Sequence, residues 1–101
     1  MNRNLENRSI EIAKSLVIKE LDISDPGLEF STIEKLTLWL TGEIRVLIER
    51  DFQGLLNILY RIDVNEDKAK LAFAGNDPAK GIAKLIIERE LQKVATREKY
   101  K

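Results

Sequence analysis

From Ile33 to Ile62 the apolar residues recur in one unbroken helical phase. Ile33, Leu36, Leu40, Ile44 and Leu47 lead to Asp51, and Leu55, Ile58 and Ile62 continue beyond it. Spacings of three and four place these side chains on one face of an α-helix, and no proline interrupts the run. Two architectures fit. One helix of about 30 residues would be roughly 45 Å long at the standard rise. Two shorter helices would meet at Asp51, whose carboxylate can cap the second. In the first case Asp51 is a charge inside an apolar stripe. It then needs a partner such as Arg45, Arg50 or Arg61, because an unpaired buried charge is costly. In the second case it is a cap and that cost disappears. Spacing alone leaves both open.

The flanking segments are helical by the same criteria. The first runs from about Asn4 to Leu21, with Leu5, Ile12, Leu16 and either Ala13 or Val17 as its apolar stripe. Glu6, Glu11, Lys14, Lys19 and Glu20 fall on the wet side. It stops in Asp22-Ile23-Ser24-Asp25-Pro26-Gly27, where proline disfavours helix before it and Pro-Gly favours a turn. Ser31 and Glu34 form a capping box for the next segment. Asn65 caps a short helix, with Val64 and Ala69 placed as a hydrophobic staple, and Gly75-Asn76 closes it. Asp77-Pro78 opens the last helix, with Ala79, Ile82, Ala83, Ile86, Leu91 and Val94 as its stripe. Tyr60 to Val64 alternates with period two but is too short for a strand and reads as a helix end. The expectation is an all-α chain: a compact bundle of four to five helices, with the 33–62 run as a possible long central helix. It forms one domain over 1–101, frayed at 1–3 and 96–101.

The missing residue types exclude most familiar chemistry. The chain has no cysteine and no histidine, which removes disulfides, Cys–His and Ser–His nucleophile pairs, imidazole bases and ordinary zinc sites. No glycine-rich phosphate loop is present. Lys+Arg and Asp+Glu both number 17, so the positive excess of a general nucleic-acid binder is missing. No apolar run is long enough to span a bilayer. A cytoplasmic protein without cofactors is expected.

Carboxylates are what remain for enzymology. Glu43, Glu49 and Asp51 lie within about two turns, with Asp63, Glu66 and Asp67 further on. Glu43 and Glu49 are six apart, which does not align them on one helix face, and the second group suits a helix start. Lys84, Arg89, Lys93, Arg97, Lys99 and Lys101 gather on and after the last helix, where cations are favoured. Gly42, Gly54 and Gly81 each cost about 1 kcal/mol within a helix. Close approach of backbones accounts for such glycines, Gly81 above all, and a hinge is the alternative at Gly42. Trp39, Phe52, Tyr60 and Phe73 read as core or interface anchors. Leu36, Leu38, Trp39 and Leu40 make their stretch apolar nearly all round, as do Leu85, Ile86 and Ile87. Such stretches belong in a central helix or at a subunit interface, so a homodimer is expected.

The segment Asp51-Phe52-Gln53-Gly54-Leu55-Leu56-Asn57-Ile58-Leu59-Tyr60-Arg61-Ile62-Asp63-Val64-Asn65-Glu66 resembles one found in short uncharacterised helical bacterial proteins. The resemblance implies a bacterial, cytosolic setting and carries no activity with it. Within the segment, Tyr60, Arg61 and Asp63 are the candidate binding residues, with a structural Arg–Asp pair at a helix end as the alternative. The expected function is a non-catalytic interaction or regulatory module, with another protein or a second copy as partner. The competing expectation is a small metal-dependent hydrolase built on the carboxylates.

Overall fold

The computed structural model describes residues 3–99, with side chains for 7–97. Five helices follow in order: α1 (Arg3–Leu21), α2 (Ile33–Arg50), α3 (Phe52–Arg61), α4 (Glu66–Phe73) and α5 (Pro78–Lys99). There is no strand among the described residues, and the all-α bundle stands. Part of the fraying expected at the termini falls on Met1, Asn2, Tyr100 and Lys101, outside the described residues.

The long apolar run is two helices, and Asp51 is the break. Its backbone leaves helical geometry at φ −153°, ψ 64°. Its amide still donates to the Leu47 carbonyl at 2.8 Å, closing α2. Its carboxylate accepts from the Gly54 amide at 3.0 Å, opening α3. Asp51 is exposed, so no buried charge arises, and Arg45 pairs with Asp77 instead. A single helix of about 45 Å would also overrun the molecule's longest dimension of 37 Å. Gly54 belongs to the cap. A Cβ there would lie 2.2 Å from an Asp51 carboxylate oxygen, so a side chain at 54 would make that carboxylate shift.

The central helix is α5, and α1, α2 and α4 all pack on it. Ala79, Ile82, Ala83, Ile86, Ile87, Glu90 and Val94 are buried along it, whereas Leu91, placed in the stripe by spacing, is half-buried. Gly81 gives α4 its close approach, since a Cβ there would meet the Ala72 Cβ at 3.1 Å. No such contact exists at Gly42, where a Cβ would meet nothing within 4 Å.

Two local expectations need correction. Thr32, not Ser31, caps α2, accepting from the Lys35 amide at 3.1 Å. Ser31 instead accepts from the Lys35 ammonium. On α1 the covered face is Ile10, Ala13, Val17 and Leu21, while Ile12 and Leu16 are half-buried and the side chain of Leu5 lies outside the described set. Lys14, assigned to the wet side, lies in that covered face. Its stem is buried and its ammonium reaches out to the Leu28 carbonyl at 2.6 Å and to Asp25 at 3.6 Å. The same group sits 5.8 Å over Phe30, which stacks on Trp39 at 5.5 Å. Lys14 thus ties the α1–α2 loop down. Asn65 and Asp77 cap α4 and α5 as expected.

Asp51→Ala removes the cap of α3 and is expected to cost about 1 kcal/mol. For a domain this size that lowers the Tm by about 4–8 °C. Thermal unfolding followed by circular dichroism measures it, and an unchanged Tm would mean that the cap does not hold the break.

Candidate functional site

Tyr60, Arg61 and Asp63 sit at the end of α3 and diverge. Tyr60 is 89% exposed and outside the core. The Arg61 guanidinium donates to the Glu20 carbonyl at the end of α1. Asp63, in left-handed backbone at φ 65°, pairs with Arg89 of α5 at 3.6 Å. An Arg–Asp pair does close this helix end, but its arginine is Arg89, which also donates to the Ile62 carbonyl at 3.1 Å. Only Asp63 of the three lines the cleft there, about 200 Å³ in size. That is below the span of ordinary small-molecule sites.

The carboxylates do not converge. Among the described residues no three of them form a group able to hold a metal ion. Asp51 caps α3, Glu66 pairs with Lys70 at 3.6 Å, and Asp63 is held by Arg89. The cations of α5 are partly consumed in the same way, Arg89 at the α3 end and Lys93 inside an acidic pair.

That acidic pair is the feature spacing reasoning missed. Glu90 is fully buried. One of its oxygens lies 3.3 Å from the Lys93 ammonium, and the other has no hydrogen-bond partner. Lys93 also reaches Glu20 of α1 at 3.3 Å. Burial pushes the Glu90 carboxyl up to about 7, nearby Glu20 adds to the shift, and Lys93 opposes it. The signal was legible: position 90 follows 82, 83, 86 and 87 in the buried phase of α5. Two acids and one lysine at a helix seam bind a proton and hold α1 to α5. None of the three lines the cleft at Asp63 or the concavity between α2 and α5.

A concavity of about 710 Å³ runs between α2 and α5. Thr37, Thr41, Gly42, Ile87 and Leu91 line it, with Leu38 at its edge. Both threonine hydroxyls donate to carbonyls one turn back, Ile33 at 2.8 Å and Thr37 at 2.7 Å. The threonines therefore offer methyl groups to the groove. Arg45 and Asp77, 3.4 Å apart, bridge its rim, and Lys80, Lys84, Glu34 and Glu88 add charge of both signs. Leu38 is 74% exposed. Of the apolar stretch around Trp39, it is the residue the bundle leaves outside. Leu36 and Leu40 are buried and Trp39 is covered by Phe30.

No helix among the described residues is long and apolar enough to cross a membrane. Comparison with known protein families, with curated proteins and with solved structures returned no match.

Glu90 gives the fold a pH dependence. Its native pKa of about 7 exceeds the ordinary 4.5, so between those values the folded chain binds more protons than the unfolded one. Stability from this group is complete below about pH 4.5 and is lost as pH rises through about 7, a change on the order of 3 kcal/mol. No histidine titrates in that window. Urea unfolding is expected to give a lower stability at about pH 7.5 than at about pH 5.5. Glu90→Gln should flatten that dependence and be the more stable form at the higher pH. Parallel curves for the two proteins would refute it.

Proposed function

We propose that the chain is a non-catalytic protein-interaction module. It works through the outer face of α2 and the groove beside it, and a protein helix is its ligand. The observation that carries this reading is Leu38. A leucine 74% exposed at the lip of an apolar groove has no role in the packing of its own chain. Leu38 extends the apolar lining of the groove formed with Ile87 and Leu91, and a contiguous apolar patch with a charged rim marks partner contact. The groove fits a helix better than a metabolite. It is a shallow channel along two helices with mixed charge at its margins, the setting in which an amphipathic helix lays down its apolar face. A cytosolic setting belongs to the same proposal, in keeping with a chain that has no cysteine.

Leu38→Arg tests it, with Leu71→Arg as control because Leu71 is 75% exposed on α4. Neither change should alter folding stability by more than about 0.5 kcal/mol. Cross-linking in the native cell should give protein adducts with the parent chain and with the Leu71 variant, and lose them with the Leu38 variant. Adducts common to all three proteins would refute the reading.

A further inference from the structure

The occupant of this surface can be named from the order of residues on α2. At 100° per residue, Lys35, Leu38, Gly42, Val46 and Glu49 fall within an arc of about 80°. All five are exposed, Leu38 at 74% and Val46 at 48%. They are spaced symmetrically about Gly42, the leucine and valine four residues to either side and the charges seven. The order along the face is cation, apolar, glycine, apolar, anion. Read backwards it keeps its shape and size and reverses its charge.

Such a face is complementary to its own antiparallel copy. We propose that α2 is the contact of a two-fold symmetric homodimer in which the two α2 helices cross antiparallel at Gly42. This rests on the interaction reading above and names the partner as a second copy of the chain. In this register Lys35 meets the partner's Glu49 at one end and Glu49 meets the partner's Lys35 at the other. Leu38 shares a layer with the partner's Val46, and the two Gly42 backbones meet at the axis. A parallel arrangement would set lysine against lysine and glutamate against glutamate, so charge selects the antiparallel one.

Three observations agree with it. Gly42 is costly in mid-helix, and beyond the backbone of its own turn nothing lies within 4 Å of a Cβ there. The missing side chain serves no contact inside the monomer, whereas at a crossing point it lets two backbones approach. Lys35 and Glu49 take part in none of the ion pairs among the described residues. The Lys35 ammonium donates to the Ser31 hydroxyl, in the exposed turn where α2 begins. Arg45, which would otherwise crowd the face, is drawn aside to Asp77 across the groove.

The test is a charge exchange read by sedimentation equilibrium on the full chain. Lys35→Glu and Glu49→Lys should each weaken dimerisation by about tenfold, since each sets like charges together at two symmetric places. The Lys35→Glu/Glu49→Lys double variant should return to within about threefold of the parent. Both positions are exposed, so circular dichroism should report the parent's Tm throughout. Gly42→Cys gives an independent reading because the chain has no other thiol. Mild oxidation should link it into a dimer far faster than Leu71→Cys. A chain monomeric at all concentrations, a double variant no tighter than the single ones, or equal cross-linking at positions 42 and 71 would overturn the proposal. If the monomer still gave Leu38-dependent adducts, the dimer would fall and the interaction reading would survive.

Discussion

The bundle depends on the burial of one face of α5. Ile82, Ile86 and Ile87 lie at or near zero exposure, and each such side chain contributes about 1.5–3 kcal/mol when fully removed from water. Three helices meet at this seam, since α1, α2 and α4 all pack on α5. The eight residues of α4 are too few to hold a helix in isolation. They do so here because Gly81 lets Ala72 settle against α5. The same seam contains a buried carboxylate with an unpartnered oxygen, that of Glu90. Lys93 compensates Glu90 only in part and Glu20 adds to the cost of its charge, so the interaction that organises the fold also carries its proton sensitivity.

What the sequence disclosed depended on how local the cause was. Helix type and most caps were legible because periodicity and capping act within a few residues. Asn65 and Asp77 cap where the pattern places them. At α2 the cap shifts by one residue because Thr32 and Ser31 are both competent, and only the path of the loop selects between them. Asp51 was legible as a choice between two structures. In the outcome the missing side chain of Gly54 leaves the carboxylate room where it sits. Lys14 was misplaced for a different reason. A long stem can lie in an apolar face while its ammonium leaves it, and spacing cannot follow the far end of a side chain to Leu28 and Asp25.

The candidate surface was partly visible for the same reason. An apolar stretch around Trp39 announced that more than one side must be covered. Only the fold could say which residue the monomer leaves over. Phe30 takes Trp39, the core takes Leu36 and Leu40, and Leu38 stays in solvent. Tyr60, Arg61 and Asp63 looked like a group because they are close in sequence, yet a helix end turns neighbours in different directions. Arg61 serves the end of α1 and Asp63 serves α5.

The position of α5 in chain order has a consequence for how the protein is made. Its three packing partners all precede it, so during synthesis they emerge with their apolar faces uncovered. Helices can form locally as they appear, but the long-range contacts that reward them wait until residues beyond Pro78 leave the ribosome. Until then Ile10, Val17, Leu36, Leu40 and Ile44, all buried in the finished bundle, are open to other chains. Such uncovered apolar surface is what makes an incomplete chain prone to aggregate. Collapse of the bundle is a late event, compressed into the arrival of its last helix.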